Sequence, residues 1–147
     1  MLPVEYQLKN KELVKLWVEA LRSGKYQQVQ YKLREKPEDG GGHCCLGVLC
    51  EVAKPMLSLE GTKELEDYLD NRGYPPKEIL KLLGQDIEIE DAKYQYISVQ
   101  MKDGGFILVL SLNDSYNMTF DQIADLLEQT HLRGDDNTSC NTAQITI

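Results

Sequence analysis

The chain has 147 residues, 41% hydrophobic and 27% charged, enough for one domain with a real core and short for two. No apolar run approaches the roughly 18 residues of a membrane span, and MLPVEYQLKNKE lacks the apolar stretch of a secretory leader, so the expected setting is a cytoplasm that keeps thiols reduced. The net charge of −8 is uneven: residues 1–36 carry 8 Lys or Arg against 4 acids (+4), and residues 37–147 carry 8 against 20 (−12), which argues against duplex nucleic acid but leaves a basic N-terminal third able to hold a small anion.

Asn10 is placed to cap a helix whose apolar positions Leu13, Leu16, Trp17, Ala20 and Leu21 recur at helical spacing, with Gly24 as its terminator. Val29, Tyr31 and Leu33 then alternate with polar residues, the period of a half-buried strand or an extended edge, and 36–42 forms a Pro, Asp and Gly loop. Apolar residues are nearly continuous from Cys44 to Cys50, which predicts a buried helix starting near Cys44. Gly47 inside it costs about 1 kcal/mol relative to Ala, so it marks close approach by another backbone or a ligand.

Thr62 to Asp70 predicts a short amphipathic helix, and Tyr74-Pro75-Pro76 opens another, with Ile79, Leu80, Leu82 and Leu83 as its apolar face and Gly84 as its end. Tyr96 to Met101 and Phe106 to Leu112 flank Lys102-Asp103-Gly104-Gly105 and predict a β-hairpin. Thr119 and Gln122 supply a capping box for a helix carrying Ile123, Ala124, Leu126 and Leu127. The expected fold is α+β: a single domain over 1–132, about four helices on a small antiparallel sheet, with 133–147 a polar tail, mobile or forming a short edge strand.

Trp17 with Ala20-Leu21-Arg22-Ser23-Gly24 and Tyr26, Cys44-Cys45-Leu46-Gly47-Val48-Leu49-Cys50-Glu51, Leu112-Asn113-Asp114, and Phe120 with Ile123-Ala124-Asp125 together resemble a family of short uncharacterised proteins of tailed bacteriophages and prophages. The resemblance spans Leu13 to Glu128 and implies a phage setting without implying a reaction. At position 43 this family more often has an aromatic residue than a histidine, which implies packing there.

Three of the four cysteines and one of the two histidines fall within His43–Cys50. Structural zinc takes four Cys or His ligands, often in spaced pairs, whereas adjacent Cys44 and Cys45 point about 100° apart on a helix, so no metal site and no cofactor is expected. A thiol at a helix N-terminus is favoured as thiolate, and Cys45-Leu46-Gly47-Val48-Leu49 is similar to the helix start of papain-like peptidoglycan hydrolases. A cysteine hydrolase using Cys44 or Cys45 with His43 is therefore the alternative enzymatic reading, weakened by the lack of a second base other than His131. Free cysteine also behaves as a small hydrophobe, and a core helix is the favoured reading.

Arg22, Lys25, Tyr26, Tyr31 and Arg34 interleave cations with aromatics, a composition suited to a phosphate and a base or ribose. Asn113 and Asp114, just ahead of a capped helix, complete the candidate ligand residues, although such residues also initiate turns. The function expected is a non-enzymatic phage accessory protein with a counter-defence role in the cytoplasm of the infected host. It would bind a small anionic or nucleotide-like ligand or a host defence protein, with no membrane partner and with homo-oligomers open. Its other rivals are an acidic protein-binding inhibitor and a small virion or assembly component.

Overall fold

In a computed structural model, the described residues are 8–58, 61–84 and 97–132. Their order is α1 (Lys11–Arg22), α2 (Cys45–Ala53), α3 (Lys63–Asn71), α4 (Lys77–Leu83), β1 (Ser98–Gln100), β2 (Phe106–Leu108), α5 (Val109–Asp114) and α6 (Phe120–Leu127). Single 3-10 turns lie at Pro37–Asp39 and Lys54–Met56, and a π turn at Glu128–Leu132 follows α6.

α1 starts where the Asn10 side chain accepts the Leu13 amide, and it stops at Ser23, before Gly24 turns at φ 77°. Its buried face is Leu13, Val14, Trp17, Val18 and Leu21, rotated slightly from the expected stripe, because Val14 and Val18 enter the core while Leu16 stays 41% exposed. That face packs on α2 and α6, and burying each large side chain contributes about 1.5–3 kcal/mol at most.

α2 is the centre of the core. Cys45, Leu46, Gly47, Val48, Leu49, Cys50 and Ala53 are all buried, so the helix is enclosed on every side until the partly exposed Glu51 and Val52. Trp17 donates its indole N–H to the Cys45 carbonyl at 2.8 Å, tying α1 to the start of α2.

The expected strand or extended edge after α1 is corrected: residues 30–33 bend, with Tyr31 at φ 70° and exposed, and only isolated bridges form, Gln28 and Arg34 both pairing with His43. Val29 donates to the His43 carbonyl at 2.9 Å, His43 to Gln27 at 2.8 Å, and Glu35 to Gly42 at 2.8 Å. Leu33 passes across α2 and donates to the Arg72 carbonyl at 2.9 Å.

The expected helix from Thr62 forms as α3, capped by the Thr62 side chain, and α4 ends at Gly84 with φ 89°, as expected. β1 and β2 are antiparallel with Val99 opposite Ile107, and Gly104 (φ 92°) forms their turn. The expected strand from Phe106 to Leu112 is corrected: it ends at Leu108, and Val109 begins α5. Val109, Leu112 and Asn113 are buried at i, i+3 and i+4, so burial against α2 is met by a helix, where a strand would have turned alternate apolar residues outward. α5 brings the number of α-helices among the described residues to six, above the four or so expected, and the α+β class holds.

α6 carries the full capping box between Thr119 and Gln122. The π turn beyond it brings Thr130 and His131 to the open side of β1, where Thr130 accepts the Gln100 amide at 3.0 Å and His131 Nε2 donates to the Ser98 carbonyl at 2.7 Å. Residues 133–147 and Tyr96 lie outside the described residues.

Candidate functional site

The cysteine stretch is interior. Cys44, Cys45 and Cys50 are free and fully buried. Burial pushes the Cys44 thiol up to about 11 despite amide hydrogen bonds from the helix start, and pushes Cys45 and Cys50 up as well. An activated nucleophile needs the opposite, an accessible thiolate. Among the described residues, no group of three or more His, Cys, Asp or Glu side chains is placed to hold a metal ion.

His43 faces away from the thiol chemistry. Its Nε2 lies 2.6 Å from Glu51, its ring meets Tyr26 edge-on with centroids 5.1 Å apart, and its buried Nδ1 has no partner among the described residues. Burial opposes the charge on Glu51, but hydrogen bonds from His43 and Lys54 prevail and hold its carboxyl down at about 2. The aromatic contact fits a packing role at position 43.

The two arginines proposed for a ligand have internal partners. Arg22, at the end of α1, reaches Asp125 at 2.5 Å and Glu128 at 3.2 Å and so clamps α1 to the end of α6. Arg34 meets Asp70 at 2.8 Å and Glu66 at 2.9 Å, with Glu51 at 3.6 Å, joining the segment after α1 to α3 and α2. Burial would lower both guanidinium groups, but these carboxylates outweigh it and raise them. A charge this fully committed is a structural tie, because freeing it for a ligand would strand several half-buried acids.

Asn113 is the most fully used polar side chain of the set. It is 0% exposed. Its Oδ1 accepts the Cys45 amide at 3.1 Å and the Gln28 side-chain amide at 2.9 Å. Its Nδ2 donates to the Val29 carbonyl and to Asp114, each at 2.9 Å. All four hydrogen-bonding positions of the amide are thereby filled. Cys44 offers no side-chain cap to α2, and Asn113 supplies the acceptor from 68 residues away.

Asp114 continues this arrangement outward, accepting the Tyr31 amide at 2.9 Å. Tyr31 is held at φ 70°, and Asn117, three residues beyond Asp114, sits at φ 51°. They are the two non-glycine residues with positive φ among the described residues, and for a bulky side chain that conformation is a real outlier. Tyr31 is 74% exposed, so Asp114 holds the backbone of an outward aromatic, and Tyr116, two residues beyond Asp114 in the chain, is 52% exposed. Lys25 is exposed beyond α1, and Tyr26 is half-buried against His43.

The structure thus joins Tyr31, Asn113 and Asp114, places Tyr26 with His43, and separates Arg22 and Arg34 into different ion networks. A groove of about 410 Å³ opens elsewhere, between α3 and α4, with Leu57, Leu65, Tyr68 and Pro76 as its apolar lining; none of the expected ligand residues borders it. The Pro pair and the leucine spacing predicted α4 but gave no sign of the groove, because its walls come from two helices and a connecting turn. No helix among the described residues is long and apolar enough to cross a membrane.

No curated protein and no solved structure matches the chain. A family profile described as a domain of unknown function, DUF8296, matches residues 9–131, from the cap of α1 to the π turn after α6, and the chain belongs to this family.

Proposed function

We propose that the protein is a non-enzymatic phage accessory protein that acts in the cytoplasm of an infected bacterium by docking a host defence protein through the surface around Tyr31. The observation that carries this reading is Tyr31 itself, a large aromatic residue turned 74% into solvent at φ 70° and fixed there by Asp114. Backbone strain persists where surrounding structure enforces it, and it clusters at ligand clamps and functional loops. Exposed tyrosine on a preordered backbone is the residue type that anchors protein interfaces at small entropic cost. The motif resemblance to phage proteins supports the setting, and the inaccessible thiols favour binding over hydrolysis.

The nucleotide reading is second to this, because Arg22 and Arg34 are engaged with carboxylates; the exposed Lys25 and the exposed Lys32 next to Tyr31 are what favour it. Photo-cross-linking tests the leading reading. Tyr31→p-benzoylphenylalanine, irradiated in lysate of the source bacterium, is expected to give a discrete protein adduct that the same label at Lys15 on α1 does not give. No adduct, or the same adducts from both positions, would contradict it. A thermal-shift screen with cyclic and linear nucleotides tests the second, since ligand at 100 times its dissociation constant adds about 2.7 kcal/mol.

A further inference from the structure

We infer that the Tyr31 surface selects an acidic polypeptide segment; this rests on the protein-docking reading and adds the chemistry of the partner. Lys32 follows Tyr31 and is exposed. Arg72 is brought to the same loop by the hydrogen bond from the Leu33 amide to its carbonyl at 2.9 Å, and its exposed guanidinium lies 5.3 Å from the centre of the Tyr68 ring. Stacking of this kind presents a guanidinium without folding it back onto an acid.

Three carboxylates of α3 are already occupied, while Glu64 and Glu78 line the groove beside Tyr68. Glu66 and Asp70 bond Arg34, and Asp67 bonds Lys63. Asp114 lies beneath Tyr31 and accepts both the Tyr31 amide and the Asn113 amide. The patch therefore offers two exposed cations beside the exposed Tyr31 on a chain whose net charge is −8. A local positive island on an acidic protein orients one encounter, in which an acidic segment meets the patch while the rest of the surface repels misaligned approaches.

Nucleic acid is the less suitable polyanion. Its affinity depends on neutralising several phosphates in a row, and two cations cannot provide that while residues 37–147 carry −12. An acidic peptide needs only a few charges matched, with apolar side chains laid on Tyr31. Asp114 serves as a positioning residue, setting the Tyr31 backbone that points the ring outward.

Fluorescence anisotropy with the full chain tests this, using a labelled Glu- and Leu-rich peptide, its Gln-for-Glu analogue and labelled oligo(dT). The acidic peptide is expected to bind, with the Gln analogue about tenfold weaker or unbound, and with affinity falling about tenfold in Lys32→Glu/Arg72→Glu and in Tyr31→Gly. Circular dichroism of each variant establishes that the fold is retained; if the paired charge reversal unfolds the chain, Lys32→Gln/Arg72→Gln is read in its place. Equal binding of acidic and Gln peptides, no loss on charge reversal, or no binding of the acidic peptide would overturn the inference. Tighter binding of oligo(dT) would overturn it in favour of single-stranded nucleic acid. A protein adduct from position 31 alongside any of these results would leave docking standing and remove only the acidic specificity.

Discussion

Gly47→Ala is the substitution whose sign the structure decides most sharply. Helix propensity alone makes Ala better than Gly by about 1 kcal/mol, so a helix judged by its own residues should gain. In α2, however, a Cβ at position 47 would stand 1.7 Å from the Leu33 carbonyl oxygen and 2.7 Å from its carbon. Carbon and oxygen settle at about 3.3 Å or more, so the crossing strand of backbone would have to retreat by about 1.6 Å. Leu33 is fully buried, donates to Arg72 at 2.9 Å, and accepts the Cys44 amide at 3.3 Å. Retreat would weaken two hydrogen bonds worth about 1 kcal/mol each and open space around a core leucine, a change that costs about 2–5 kcal/mol when complete. After the propensity gain, the expected net loss is about 3 kcal/mol or more, a large part of the 5–15 kcal/mol typical of a domain. Urea unfolding followed by circular dichroism should show a lower midpoint with similar slope, and thermal unfolding a drop of about 10 °C or more. A Gly47→Ala protein as stable as the parent would refute the close approach of Leu33 to α2.

The same reasoning reaches other positions. His131 is buried, accepts the Leu8 amide and donates to Ser98; burial lowers its pKa to about 4, the Ser98 bond opposing. Its folded value lies below its unfolded one of about 6.5, so its contribution is complete above 6.5 and is lost as pH falls through 4. That is about 3 kcal/mol, visible as a falling urea midpoint between pH 7 and 4, and a flat profile would contradict it. Asn113→Ala removes four hydrogen bonds and leaves the Cys45 amide and Val29 carbonyl unpaired, so a loss of about 3 kcal/mol is expected by the same assay; a loss under about 1 kcal/mol would rule out the Asn113 junction. Tyr31→Gly should leave stability unchanged or raise it by about 1 kcal/mol, because relief of positive φ outweighs an exposed ring, and clear destabilisation would mean that the ring is part of the core. Cys44, Cys45 and Cys50 should resist iodoacetamide at neutral pH in the folded protein and react in urea, whereas fast labelling of native Cys44 or Cys45 would revive the hydrolase reading.

What was legible in the sequence was what neighbouring residues decide together. Asn10 and Thr119 as caps, Gly84 as a stop and the Gly104 turn all act within a few residues of where they are read, and Gly47 is marked by its own local cost although Leu33, which meets it, lies 14 residues earlier. The run FILVLSL reads as strand past Leu108 because seven mostly apolar residues satisfy either period, and only burial of Val109, Leu112 and Asn113 against α2 selects the helix. The ligand candidates were harder for a different reason. Arg22 and Asp125 are 103 residues apart, and Arg34 and Glu66 are 32 apart, so nothing local marks those cations as already paired. The cap that Asn113 gives to α2 is equally remote. Tyr31 was visible as a candidate, but its outward pose depends on Asp114, 83 residues on, and no periodicity signals a positive φ at a tyrosine.

The most direct test of docking through this surface is the affinity of the protein cross-linked from position 31, once isolated, for the parent chain and for Tyr31→Gly, measured by isothermal titration calorimetry. A docking surface centred on Tyr31 predicts a dissociation constant about tenfold or more higher for Tyr31→Gly with the fold intact. Equal affinities for the two proteins would contradict it.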